Sequence, residues 1–320
     1  MKKKRWLHIV LLLICTILLV TIYIIFFENK VKEELSNSKA PIIGLVETVT
    51  EDEWQDDVFR SIKEHARESE YEIMTIQAER SKEAQIEAIR ALIVYRVDAI
   101  VLLPVVDSGW DAVLIEAQEA NIPVITADKG IRGSDKFAVN YIGYNYYADA
   151  VKSAEIMTRD AQSSDIIIEI CGTLGAYPAK DITRGFRETL TQNGLKIQSS
   201  VSGDYMCSRG KEITEGFLKS NESVDYIIVH NDAMTLGAVE AIKEQGKVPG
   251  KDVKIFAVGG GKTTISLLQE GQINCLISRS TKRLGEEIVK AVEQLLCGEV
   301  IENNTVMIET ETLTQEEVSQ

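Results

Sequence analysis

The sequence predicts an α/β fold with parallel sheets covered by helices on both faces, and three observations carry that prediction. The first is residues 98–128, DAIVLLPVVDSGWDAVLIEAQEANIPVITAD, which read as a complete strand–helix–strand unit. The second is that strand and helix signals alternate from Pro41 almost to the end of the chain. The third is that the strand segments are nearly continuous apolar runs, as strands buried on both faces must be.

Each element has its own local reason. PIIGLV (41–46) is a short apolar strand, and residues 54–67 form a helix. YEIMTIQA (71–78) alternates as a strand, and residues 82–94 form a helix. DAIVLL is a strand stopped by Pro104, and Asp107, Ser108 and Gly109 turn the chain. Trp110, Val113, Leu114 and Ala117 recur at helical spacing, Asn121 ends that helix, and the strand opened by Pro123 finishes on Asp128. VNYIG (139–143) and DIIIEI (165–170) are strands, each followed by a helix, over 147–161 and 179–192. IQSSVSG (197–203), VDYIIVH (224–230) and VKIFAV (253–258) are strands, with helices over 209–219, 232–245 and 263–269. NCLISRS (274–280), a helix over 284–296 and the strand NTVMI (304–308) close the series. Two βα series of similar length imply two lobes and a cleft suited to a small ligand. In open parallel sheets ligands bind beyond the carboxyl ends of the strands, which here points to residues 104–110 and 128–130.

The N-terminus reads differently. Residues 2–5 are Lys-Lys-Lys-Arg, and residues 6–27 are apolar apart from His8, Cys15, Thr16 and Thr21. That run is long enough to cross the roughly 30 Å hydrocarbon core as a helix. It is longer than a cleavable signal core and ends on bulky residues rather than small ones, so an uncleaved anchor is expected. The basic cluster places residues 1–5 in the cytoplasm and the remainder outside, in a single-pass cell-membrane protein. Cys15 raises lipid attachment as an alternative, but Ile14 precedes it and the apolar run continues beyond. Residues 28–40 are polar and read as a linker.

Composition excludes several functions. The net charge of −14 argues against nucleic acid as a partner. Three histidines in the whole chain, and cysteines without paired spacing, argue against a metal site, and no cofactor is expected. Cys171 reads as a small core residue, and a disulfide among Cys171, Cys207, Cys275 and Cys297 stays open. The turn Val258-Gly-Gly-Gly-Lys-Thr-Thr264 invites a nucleotide reading, but the phosphate-loop pattern requires glycine where Phe256 stands. It reads instead as a glycine turn at a strand's carboxyl end. Glu51, Asp52 and Glu53 read as solvated loop carboxylates.

Four segments carry a resemblance: LLPVVDSGWDAVLIEAQEANIPVITAD, GTLGAYPAKDITRGF, SGDY with RGKEITEGFLK, and HNDAMTLGAVEAIKEQGKVPGKDVKIFAVGG. Through them the chain, from Pro41 to about Val300, resembles the type I periplasmic binding proteins of the ribose- and galactose-binding class. Within that class it is most similar to the galactofuranose-binding branch of sugar ABC transporters. The resemblance implies a two-lobed fold with a hinged cleft and no catalysis. Repressors that share this core carry a helix-turn-helix where this chain has its apolar run, so a repressor is excluded.

The resemblance implies ligand contacts at Glu47, Trp54, Trp110, Asp128, Lys129, Tyr177, Asn231, Asp232 and Gly259. Several of these depart from the family pattern. Glu47 stands for Gln, Gln55 for Arg, Lys129 for Arg, Ile182 for a sugar-binding Arg, and Gly259 for Asp. Lysine lacks the planar fork of arginine, and losing Arg and Asp together removes donors and acceptors in step. Tyr177 and Lys180 are candidates to fill the vacated space. Plainer readings stand beside these: Trp54 and Trp110 as packing aromatics, Asp128 as a turn residue, Asp232 as a helix N-cap. The expected organisation is a tail (1–5), an anchor (6–27), a linker (28–40), an N-lobe (41–143 with 279–305) and a C-lobe (144–278 with 306–320). The expected function is extracytoplasmic capture of a small, sugar-like ligand for an ABC permease or a sensor kinase. The alternative is a degenerate module that contacts proteins and takes no sugar. A nucleotide enzyme built on the glycine turn is a third reading, disfavoured by the broken pattern.

Overall fold

The computed structural model describes residues 40–49, 52–137, 139–220 and 223–318. The expected tail and anchor lie outside the described residues, as does the linker up to residue 39. No helix among the described residues is long and apolar enough to cross a membrane.

Two six-stranded sheets define two lobes. The N-lobe carries β1 (Ile42–Thr48), β2 (Glu72–Ala78), β3 (Ala99–Leu102), β4 (Val124–Asp128) and β5 (Asn140–Tyr144). Its helices are α1 (Glu53–Glu68), α2 (Lys82–Tyr95) and α3 (Asp111–Glu119). The C-lobe carries α4 (Tyr146–Met157), β6 (Ile167–Cys171), α5 (Tyr177–Gln192), β7 (Ile197–Ser202), α6 (Cys207–Lys219), β8 (Tyr226–Val229), α7 (Asp232–Glu244), β9 (Lys254–Gly259), α8 (Lys262–Gln269) and β10 (Cys275–Ser278). The chain then returns to the N-lobe for α9 (Thr281–Leu296) and β11 (Thr305–Ile308). It crosses back for β12 (Glu311–Thr314) and a final turn, α10 (Gln315–Val318). The sheet orders are β11-β5-β4-β3-β1-β2 and β12-β10-β9-β8-β6-β7. All of these pairings are parallel except β10 with β12.

The sequence patterns explain the layers. Every residue of the central strands β3, β4, β6 and β8 is buried, as continuous apolar runs require, whereas edge strand β7 alternates between half-buried and exposed along IQSSV. Val113, Leu114 and Ala117 turn into the N-lobe core as their spacing demands. A second cluster fills the C-lobe, and a third runs from Trp54 and Ile62 through Tyr144 and Tyr146 to Ile182 and Phe186, binding both lobes to the crossing segments. Fully burying one Ile, Leu or Phe of this kind contributes about 1.5–3 kcal/mol.

Two details refine the sequence expectation. β11 pairs with β5, so the chain stays in the N-lobe through Ile308 and crosses after the expected boundary at 305/306. The short strand β12 beyond it was not expected. The chain therefore passes between lobes near Asn145, near Arg279 and near Thr310.

Candidate functional site

Strand carboxyl ends and helix amino ends of both lobes face each other across the cleft. Asp52 caps α1 by accepting from Trp54 N–H, and Asn231 caps α7 by accepting from Met234 N–H at 3.0 Å. The two caps join across the lobes, since Asn231 Nδ2 donates to Asp52 Oδ2 at 3.0 Å. Two amino-terminal helix ends thus converge on one point, and both place N–H donors there. Burial, reinforced by the Asp232 charge, pushes the Asp52 carboxyl up to about 6. Asp52 is thus a buried cleft residue, not the solvated loop carboxylate its sequence context suggests.

Asp128 ends β4 with φ +61°, and Lys129 N–H bonds back to Ala127 O in a tight three-residue turn. Tyr205, beside the cavity, also has positive φ, +59°. Non-glycine residues held this way concentrate at functional sites.

Arg279 enters between these groups from the end of β10. Its Nη1 donates to Asp128 Oδ1 at 3.0 Å and to the Tyr146 hydroxyl at 2.9 Å, and Tyr146 in turn donates to Asp128. Its Cζ lies 3.8 Å from the Trp54 ring centroid, and Trp54 Nε1 donates to Arg279 O at 3.0 Å. Burial works against the guanidinium charge, but Tyr146, Asp128 and Asp232 hold its pKa well above the usual arginine range.

Lys129 lies 4.8 Å from the Tyr205 ring centroid, and its hydrogen bond is a long one, 3.5 Å to Gln55 Oε1. Burial lowers its pKa, against the pull of Asp128. His230 borders the same space. Gly172 N–H donates to its Nδ1 at 3.4 Å, so Nε2 carries the proton toward Glu169, 3.0 Å away. Burial alone would raise the Glu169 carboxyl, but hydrogen bonds from His230 and Ser200 overcome it and hold it low.

Together with Pro178, these groups enclose a cavity of about 10 Å³, roughly the room of one water. The chemistry on offer is hydrogen bonding and charge, with no nucleophile set against a base. A larger groove of about 610 Å³ lies between α1 and α9, lined by residues such as Arg60, Glu64 and Lys282. None of the expected site residues borders it.

Of the expected contacts, Trp54, Asp128, Lys129 and Asn231 border the cavity. Asp232 lies just behind it, its Oδ1 accepting from Gly260 N–H at 3.1 Å, from Gly261 N–H at 2.9 Å and from Thr264. Those glycine amides are committed to a carboxylate of the chain itself, which removes the phosphate-loop reading. Gly259 leaves room for this arrangement: a Cβ there would stand 2.5 Å from Asp232 Oδ1.

Three expected residues stand elsewhere. Trp110 is fully buried in the N-lobe core, its indole N–H satisfied by Val106 O at 2.9 Å. Glu47 pairs with Lys63 at 2.8 Å. Tyr177 packs on Tyr141, centroids 5.8 Å apart, beside the cavity-lining Pro178. Lys180 does not fill the cavity but pairs with Asp107 of the other lobe at 2.7 Å. Ile182 is core. The guanidinium that does border the cavity is that of Arg279, which sequence reasoning missed. The signal was present, because Arg279 closes an apolar strand with a charge, as Asp128 does. Asp52, Gln55, Tyr146, Tyr205 and His230 are further cavity residues that sequence reasoning did not assign. Cys171, Cys207, Cys275 and Cys297 are all free thiols.

Comparison with known proteins agrees with this architecture. A family model described as periplasmic binding protein domain matches residues 43–299. The galactofuranose-binding protein YtfQ of Escherichia coli is 30% identical over 253 residues, covering 77% of this chain and 80% of that protein. The fructose import binding protein FruE of Bifidobacterium longum is 30% identical over 239 residues, 72% of this chain and 71% of its own length. A solved arabinose-transporter binding component from Shewanella, bound to L-arabinofuranose, superposes with a TM-score of 0.81 at 32% identity, covering 86% of this chain and 92% of that one. These relatives are binding proteins and not enzymes. On the family match, on these relatives and on its two-lobed fold, the chain belongs to the type I periplasmic binding proteins of the ribose- and galactose-binding class.

Proposed function

We propose that this is a membrane-anchored, extracytoplasmic solute-binding protein whose lobes close on a small sugar-like ligand and present it to an ABC permease or a sensor kinase. One observation carries the ligand reading: the enclosed space between the lobes is ringed by polar groups whose bonding capacity is unmet. Lys129 has three donors and a single long hydrogen bond, and the Tyr205 hydroxyl is buried without a partner. Asp232 Oδ2, just behind the cavity, is likewise unpartnered. Burying such groups unpaired costs about 1–3 kcal/mol each, which a polyhydroxylated ligand would offset. The relatives named above for galactofuranose and arabinofuranose support the same class of ligand. The basic residues 2–5 and the apolar residues 6–27 support the anchor.

Titration calorimetry of the full chain against pentoses, hexoses and their furanose forms tests the reading. At least one sugar is expected to bind, and Lys129→Met to weaken it by roughly tenfold or more. If none binds, the sugar assignment fails. The alternative, a module without a sugar ligand, is favoured by Ile182 and Gly259 and predicts no ligand-dependent change in radius of gyration.

A further inference from the structure

We infer that Glu169 is a positioning residue for ligand binding: it takes the Nε2 proton of His230, so the imidazole faces the cleft with ring carbon alone and lies against the apolar side of the ligand. The inference rests on the sugar-binding reading above.

Glu169 interrupts an apolar strand, since β6 reads Ile167, Ile168, Glu169, Ile170, Cys171 with every residue buried. A carboxylate costs stability there that an aliphatic side chain would not, so the position is explained by what the carboxylate holds. The strand register supplies the partner. Glu169 stands opposite Ser200 of β7 and Ile228 of β8, and His230, two residues beyond Ile228, is its diagonal neighbour on the same face. Ser200 donates to Glu169 Oε2, and Thr183 of α5 adds a further hydrogen bond. With the carboxylate so held, Oε1 receives His230 Nε2 at 3.0 Å.

Both imidazole nitrogens are then spent. Nε2 donates to Glu169, and Nδ1 accepts from Gly172 N–H at 3.4 Å. His230 borders the cavity, whereas Glu169 and Gly172 are not among its lining residues. No ring nitrogen remains to bond a ligand, so what meets the ligand is carbon. The unmet polar capacity lies elsewhere on the wall, at Lys129 and the Tyr205 hydroxyl. A bound sugar therefore directs hydroxyls to those groups and sets a C–H face on His230. Without Glu169 the Nε2 proton has no acceptor, and only the long contact from Gly172 orients the ring. The ring then gains by turning that proton toward the polar groups of the cleft or by moving it to Nδ1.

The test reads the histidine nitrogens directly by nuclear magnetic resonance. The chain has three histidines, His8, His65 and His230, so in full chain labelled at histidine the His230 signals are assigned by their loss in His230→Gln. At neutral pH the free protein is expected to show a protonated Nε2 and a bare Nδ1. Adding the tightest-binding sugar of the calorimetry panel should shift the ring C–H resonances and leave both nitrogens in the same protonation state. Glu169→Met should alter the nitrogen signals and weaken that sugar about tenfold. In Glu169→Gln the amide oxygen accepts the same proton while the NH2 group donates to Ser200, so the tautomer should persist and affinity stay within about threefold of wild type. Melting curves verify that both variants fold. A wild-type ring that is bare at Nε2, that changes protonation when sugar binds, or whose C–H resonances ignore sugar overturns the inference, whether or not the variants fold. So does a folded Glu169→Met protein that binds sugar within about twofold of wild type. A wild type that binds sugar and fails any of these defeats this inference alone. A wild type that binds no sugar defeats the functional reading as well.

Discussion

Asp52 serves as a helix cap and as an inter-lobe acceptor, and both roles keep its carboxyl buried. Its pKa rises from 3.8 to about 6 in the folded protein. Between those values the native state holds a proton that the unfolded chain has released, so the contribution of Asp52 to stability falls as pH rises through that window. The loss amounts to about 3 kcal/mol once the group is fully ionised. Denaturant titrations of wild type from pH 4 to pH 7 should carry this downward component, and Asp52→Asn should remove it. An unaltered slope in the variant would refute the assignment. Residues at strand exits, such as Asp128 and Asn231, were legible because a polar residue ending an apolar run has few structural reasons to be there. Trp54 and Trp110 were not separable in the same way. Trp110 satisfies its indole four residues back, at Val106 O, whereas Trp54 does so at Arg279 O, 225 residues away. No local pattern carries that second partner.

The helix pair α6 and α7 sets the floor of the C-lobe beneath Asn231, and glycines permit its close approach. A Cβ on Gly237 would stand 2.2 Å from Cys207 O, and one on Gly210 would stand 2.6 Å from Met234 O. Both obstacles are backbone, which cannot swing aside as a side chain can. Gly237→Ala should therefore cost about 1–3 kcal/mol by overpacking, seen as a lower denaturant midpoint at an unchanged slope. Ligand affinity should fall with it, because α7 carries Asn231 at its amino end. Most elements matched their sequence expectation, since apolar runs, Pro and Gly breaks and capping residues such as Ser81 and Ser280 act locally. The lobe assignment of residues 306–308 did not follow, because pairing with β5 depends on a partner more than 160 positions earlier in the chain.

At the scale of the whole molecule, closure rests on a few contacts spread around the cleft. Asp107 accepts from Lys180 of the other lobe and donates its backbone N–H to Gly175 O, Arg80 reaches Asp204 O, and Thr263 donates to Glu53. Arg132 joins Lys180 in holding the Asp107 carboxyl low, against the effect of burial. The exposed contacts among these, Arg80 with Asp204 O and Thr263 with Glu53, contribute about 0–1 kcal/mol each, so a ligand with modest differential affinity can shift the balance between open and closed forms. Trp54 sits at that junction, its indole N–H bonded to one crossing segment and its ring under a cation, while Trp110 is sealed in the core of one lobe. The chain therefore contains its own optical gauge. Separation of the lobes should change the surroundings of the Trp54 indole and leave those of Trp110 unaltered, with Trp6 of the N-terminal apolar run a constant background in both variants. In a Trp110→Phe protein the emission should still shift on adding ligand; in a Trp54→Phe protein it should stay constant, and a response retained there would place the light-sensitive change away from the cleft.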